Sequence, residues 1–203
     1  MINNITKYLD EIIPNPKCEL NYQKDYELLI ATMLSAQTTD KKVNTVTEIL
    51  FKKYPNLKKL SEADIEEIKK IIKPIGTYNK KAHNIIEIAK QLKDIGYVPN
   101  NRAFLESLPG VGRKTTNVVL SNIYNIPCIA VDTHVKRVSI RLGLAKSNDD
   151  VFTIEKKLYK KFPKEKLGKL HHQLVLFGRY YCKAQKPECE KCKLKDICKR
   201  KTK

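Results

Sequence analysis

Apolar residues recur every three to four positions along most of this 203-residue chain, and that spacing constrains the fold more than any other feature. Between Asp25 and Ser35, Leu28, Leu29, Ile30, Met33 and Leu34 mark a helix. A second is expected over about 40–53, stopping before Pro55. Ser61 reads as the N-cap of a third, with Asp64 as a capping-box partner and Ile65, Ile68, Ile71 and Ile72 at helical spacing; Pro74 and Gly76 end it. The next carries Ala82, Ile85, Ile86, Ala89 and Leu92 and is closed by Gly96. Residues 101–108 form a short helix, followed by the turn Leu108-Pro109-Gly110-Val111-Gly112 and a helix with Val118, Val119 and Ile123 apolar. Asp132 or Thr133 caps a further helix ending at Gly143, Asp149 or Asp150 caps one reaching Phe162, and the last spans about 167–181. Residues 1–17 read as polar, ending at Pro14-Asn15-Pro16. Alternating strands are missing, with Ile126 to Val131 the one short ambiguous run, so the fold class is all-α.

Charge narrows the partners. The chain has 40 Lys plus Arg against 22 Asp plus Glu, a net +18, which favours a polyanion such as nucleic acid. The lack of Trp and the few aromatic residues argue against a stacking platform for long single strands. No apolar run approaches a membrane span, and Met1 to Lys7 lacks a basic stretch followed by an apolar block. The expectation is a cytoplasmic protein without a membrane partner, nucleoid-associated if prokaryotic, acting as a monomer.

Three constellations carry chemistry. In Leu108 to Thr115, two glycines flank one apolar residue between two helices, with Arg113-Lys114 behind them. Glycine admits positive φ and close backbone approach, and the following helix offers its unpaired N–H groups and positive dipole end to an anion. That arrangement suits a DNA phosphate and reads no base sequence. Lys114 falls in the first turn of that helix, where the dipole and any burial disfavour an ammonium and favour the amine that a nucleophile needs. The second constellation is Val131-Asp132-Thr133-His134. Asp132 is either a helix cap or a carboxylate directed at the same cleft as Lys114, where it could stabilise a developing cation or move a proton. An Asp132–His134 dyad is rejected, because residues i and i+2 do not share a helix face.

The third is Cys182-x6-Cys189-x2-Cys192-x5-Cys198, four of the chain's six cysteines in its last 22 residues. Such a cluster reads as a metal site, for which zinc and iron–sulfur are comparable candidates on spacing alone. Lys183, Lys186, Lys191, Lys193, Lys195 and Lys199 surround it and are expected to balance thiolate charge or meet phosphate. Cys18 and Cys128 read as core residues.

Together these strings resemble the endonuclease III family of helix-hairpin-helix DNA glycosylases. The resemblance is carried by Leu34-Ser35-Ala36-Gln37-Thr38-Thr39-Asp40, Leu108 to Thr115, Val131 to His134, His171-His172, Gly178-Arg179-Tyr180 and the cysteine quartet, in the family's order and over nearly the whole chain. It implies a six-helix barrel over 18–127 with the hairpin at its end, and a discontinuous domain of 1–17 and 128–203 carrying an iron–sulfur cluster. It implies that Lys114 is the catalytic lysine, that Asp132 is the catalytic aspartate, and that Cys182, Cys189, Cys192 and Cys198 ligate one 4Fe-4S cluster. Gly110, Val111, Gly112, Arg113 and Thr115 become backbone contacts to DNA, Lys186 a phosphate contact, and Gln37 the residue that fills the gap left by a flipped nucleotide. In the second intercalating loop, Ile75 to Asn79, Thr77 stands where some relatives carry Leu, a better apolar wedge.

The activity implied is that of a bifunctional DNA glycosylase and AP lyase. It would remove oxidised pyrimidines from duplex DNA and cleave 3′ to the abasic site by β-elimination through a lysine Schiff base. The alternatives are a monofunctional glycosylase of mismatch or adenine type on the same scaffold, in which the position of Lys114 generally lacks an amine, and a non-catalytic DNA-binding module.

Overall fold

In the computed structural model, which describes residues 1–200, the described residues form eleven α-helices and no strand. They divide into two compact units, one spanning Cys18–Tyr124 and the other combining Met1–Lys17 with the chain from Asn125 onward. No helix of the described residues is long and apolar enough to cross a membrane. Helix α1 (Ile2–Ile12) belongs to the discontinuous unit.

The 18–124 unit is built around α2 (Asp25–Leu34), in which every residue from Tyr26 to Leu34 is buried. A helix so apolar all round is stable only when wrapped by others. Its start is satisfied by Glu27, which accepts the backbone N–H groups of Gln23 and Lys24 at 2.7 and 3.2 Å. Around it lie α3 (Asp40–Lys53), α4 (Leu57–Ser61), α5 (Ile65–Ile72), α6 (Tyr78–Leu92), α7 (Arg102–Ser107) and α8 (Arg113–Tyr124). Helix α2 packs against α3, α6 and α8, while α6 packs against α4 and α5. Short polar residues close these helices. Asn56 accepts from Lys59 N at 2.9 Å, Asp64 from Glu66 N at 3.0 Å, and Asn101 from Phe104 N at 3.0 Å.

The start of α5 differs from the sequence expectation. Asp64, rather than Ser61, is its cap; Ser61 ends α4 and donates its hydroxyl to Lys58 O at 2.7 Å. Helix α4 has five residues, too few to show periodicity, so in the sequence its end resembles the start of the next helix. Gly96 closes α6 as expected, in the left-handed region at φ 81° with its N–H on Leu92 O at 2.8 Å.

The discontinuous unit contains α1, α9 (Thr133–Arg141), α10 (Val151–Lys161) and α11 (Leu167–Leu176). The N-terminal segment is therefore not simply polar: Ile5, Tyr8 and Leu9 form a buried stripe packed against α11. Gln173 on α11 holds the segment by donating to Asp10 Oδ1 at 2.9 Å and Ile13 O at 3.1 Å. The expected last helix continues from α11 as a π-helical turn, Phe177–Tyr181, in which Cys182 N reaches Phe177 O at 2.7 Å. Gly178 lies where this turn crosses α9; a Cβ there would stand 2.9 Å from His134 Cβ.

Candidate active site

The hairpin turn joins α7 to α8. Gly110 adopts φ 78°, which disfavours any side chain, and a Cβ there would lie 2.3 Å from Asn84 Nδ2 and 3.2 Å from Met33 Cγ. Both neighbours are buried, so the turn is seated on α2 and α6. Gly112 differs: its φ is not positive, and no atom lies within 4 Å of the position of a Cβ. Its smallness is therefore not required by this chain's own packing.

Val111 and Thr115 are buried, at 4% and 8% exposure. Gly112, Arg113 and Lys114 are exposed. Thr116 N reaches Gly112 O at 3.0 Å, so the N–H groups of residues 113–115 precede the helix's own hydrogen-bonding ladder. The amine of Lys114 thus leaves the first turn of α8 from an exposed position. The burial allowed for on sequence grounds is not there.

Asp132 caps α9, accepting Val135 N at 2.7 Å through Oδ1; among the described residues only that oxygen is so engaged. Asp150 plays the same part for α10, accepting Thr153 N at 2.7 Å. Asp149 instead accepts Lys157 Nζ and Lys146 N, both at 2.6 Å, which together hold its carboxyl below the usual range. His134 turns from Asp132 toward Arg137, whose Nη2 lies 3.1 Å from its Nδ1.

The four clustered cysteines line one cavity of about 250 Å³, together with Tyr8, Arg141, Phe177 and Tyr181. Among the described residues, no three Cys, His, Asp or Glu side chains converge tightly enough to clasp a single metal ion. Four thiols spread round a space of this size have the donor set for a thiolate-ligated cluster, whereas one tetrahedral zinc draws its sulfurs to about 2.3 Å from a single point. Burial pushes the Cys192 thiol up, and the other three thiols add to that.

Two arginines, not singled out from sequence, hold this loop. Arg141 donates to Cys182 O at 3.1 Å, Cys182 Sγ at 3.3 Å, Lys183 O at 2.7 Å and Ala184 O at 3.2 Å. Arg137 donates to Gly178 O at 2.7 Å and Cys182 O at 3.2 Å. Both side chains leave α9, Arg137 from its middle and Arg141 from its last turn, where a basic residue is the one sequence signal. Several lysines of the loop are committed to carboxylates: Lys183 to Glu188 at 3.0 Å, Lys195 to Glu190 at 3.5 Å, and Lys193 to Glu11. They are less available to balance thiolates than the sequence suggested. Cys128 is buried as expected, while Cys18 is only half-buried.

Four exposed loop residues, Gln37, Thr77, Asn125 and Lys186, have left-handed backbones at φ 59°, 56°, 53° and 45°. For a β-branched residue such as Thr77 that region is a true outlier, and strain of this kind concentrates at functional sites. Gln37 lies between α2 and α3, and Thr77 is the residue before α6. Lys114 and Asp132 belong to different units of the fold.

Residues 30–164 match the family model described as HhH-GPD superfamily base excision DNA repair protein. The endonuclease III proteins of Bacillus subtilis (strain 168) and Escherichia coli (strain K12) are each 46% identical to the chain, over 94% and 96% of it and 88% and 93% of their own lengths. The solved structure of a trapped endonuclease III–DNA covalent intermediate, an estranged-adenine complex, superposes with a TM-score of 0.92. That pair shares 46% identity and covers 98% of this chain and 96% of the other. The chain belongs to the endonuclease III family.

Proposed function

We infer that the protein is a bifunctional DNA glycosylase and AP lyase of base excision repair, with Lys114 as its nucleophile and oxidised pyrimidines in duplex DNA as its substrates. The observation that carries the residue assignment is the exposed amine of Lys114 in the first turn of α8, directly behind the turn at Gly110. The hairpin and the exposed tip at Lys186 meet the DNA backbone, and Gln37 enters the space left when the damaged nucleotide is extruded, since its sugar carbon is out of reach within the stack.

The amine attacks C1′, and the bond to the base breaks with its electron pair leaving on the base, which takes up a proton. Opening of the sugar ring gives a Schiff base between Lys114 and C1′. That imine acidifies the C2′ hydrogen, whose loss expels the 3′ phosphate and nicks the strand. Asp132 stabilises positive charge at the sugar and assists proton transfer. Asp132→Asn isolates that charge, because asparagine caps a helix about as well as aspartate. Base excision is expected to fall about a hundredfold, within the range for acid–base and electrostatic groups, while the thermal midpoint stays within about 3 °C.

Cys182, Cys189, Cys192 and Cys198 would hold one 4Fe-4S cluster. When bound, it supplies a four-point cross-link to the loop carrying Lys186 and is assigned no part in the bond changes. The protein acts as a monomer on duplex DNA. Borohydride added to the protein with a duplex bearing one thymine glycol or one abasic site should yield a covalent protein–DNA adduct whose DNA-linked residue is Lys114. Efficient nicking without any adduct would overturn the Schiff-base reading.

A further inference from the structure

Among the described residues of this lysine-rich chain, Lys81 is the only buried lysine, at 5% exposure. It lies in the first turn of α6, and its Nζ donates to Leu34 O at 2.9 Å and Ala36 O at 2.8 Å. Leu34 ends α2, so its carbonyl has no partner within that helix, and the ammonium sits at the negative end of the helix dipole. Ala36 precedes Gln37, the exposed residue at φ 59°. The same lysine's N–H closes on Thr77 O at 3.1 Å, and Thr77 is the exposed residue at φ 56°. One residue thus holds both strained turns, the Gln37 turn by its side chain and the Thr77 turn by its main chain.

Burying an ammonium is costly, and burial pushes the Lys81 pKa down. An apolar side chain of similar volume would fill the same space without that cost. What the ammonium supplies, and an apolar side chain cannot, is a donor to both carbonyls at once. We propose that Lys81 is a positioning residue for nucleotide extrusion. It clamps the carbonyls of residues 34 and 36 and so presets Gln37 in its left-handed conformation before DNA binds. A turn that meets the duplex with its backbone already fixed does not lose that freedom on binding. The proposal rests on the gap-filling role of Gln37, and it adds what holds Gln37 ready.

The test compares Lys81→Met, Gln37→Ala and the double variant on two substrates: a duplex with thymine glycol paired to adenine, and a single strand with one abasic site, where there is no gap to fill. The quantity read is the ratio of kcat/KM on the first to that on the second. Lys81→Met is expected to lower this ratio about tenfold, Gln37→Ala by a similar factor, and the double variant no further than the poorer single one. An equal loss on both substrates, or losses that multiply fully in the double variant, overturns the positioning role. So does an unchanged ratio for Lys81→Met beside a lowered one for Gln37→Ala. An unchanged ratio for Gln37→Ala overturns the gap-filling reading itself. Lys81→Gln, which can still donate to one carbonyl, replaces the methionine variant if the latter does not fold, with the same ratio read.

Discussion

Lys114→Ala is expected to lower strand cleavage at abasic sites by about a thousandfold or more and to eliminate the borohydride-trapped adduct, a loss of the order seen when a covalent nucleophile is removed. The fold should hardly notice. The side chain is exposed, and alanine is the best helix former, so stability should change by no more than about 0.5 kcal/mol. Binding to undamaged duplex should weaken only as one phosphate-range charge is lost, which also lowers the salt dependence by about one counterion. Rapid-quench nicking assays, a thermal melt and anisotropy titrations at two salt concentrations separate these three effects. Retention of the adduct at another lysine would remove Lys114 from the chemistry and leave it as one phosphate contact among the hairpin's others.

Cys192→Ala should have the second largest effect. The loop between Cys182 and Cys198 contains 15 residues, and its regular structure is limited to two short 3-10 turns, at Cys189–Lys191 and Lys195–Ile197. Cross-linking a loop of about 15 residues is worth roughly 3 kcal/mol in chain entropy, so losing that constraint should cost about this much and lower the thermal midpoint by roughly 6–12 °C. Iron and acid-labile sulfide should fall to background. Affinity for duplex DNA should fall with them, because the Lys186 tip is no longer held. The arginine ties to residues 178–184 remain in the variant, so its α-helical circular dichroism should persist. Full metal content with unchanged stability would remove Cys192 from the ligand set.

Much of the site was legible because its signals are local. A turn that demands positive φ shows as Gly110 between two periodic segments, and Asp132 and Asp150 cap helices at the positions their side-chain chemistry favours. Four thiols within 17 residues can scarcely avoid sharing a neighbourhood, and they line a single cavity. Illegible features depended on chain segments far apart. Lys81 meets carbonyls 45 and 47 residues away, and Arg141 meets the Cys182 loop 41 to 43 residues on. Lysine and arginine are usually solvated, so nothing in their own surroundings marks those two as structural. Helix α1 is concealed in the sequence for a different reason. Its stripe of Ile5, Tyr8 and Leu9 was present, but three apolar residues among polar ones gain meaning only from the α11 face that buries them.

Backbone preference and hydrophobic period act over a few residues, so the helical class, the punctuation between helices, the hairpin and the cluster of four thiols are all written in local stretches of the chain. Tertiary structure decided which charges are buried, which carbonyls they hold and which loop tips are kept in strained, left-handed form. The physical reason is that desolvation and hydrogen bonding of an ionised side chain depend on everything packed around it, and that packing is contributed by residues tens of positions away.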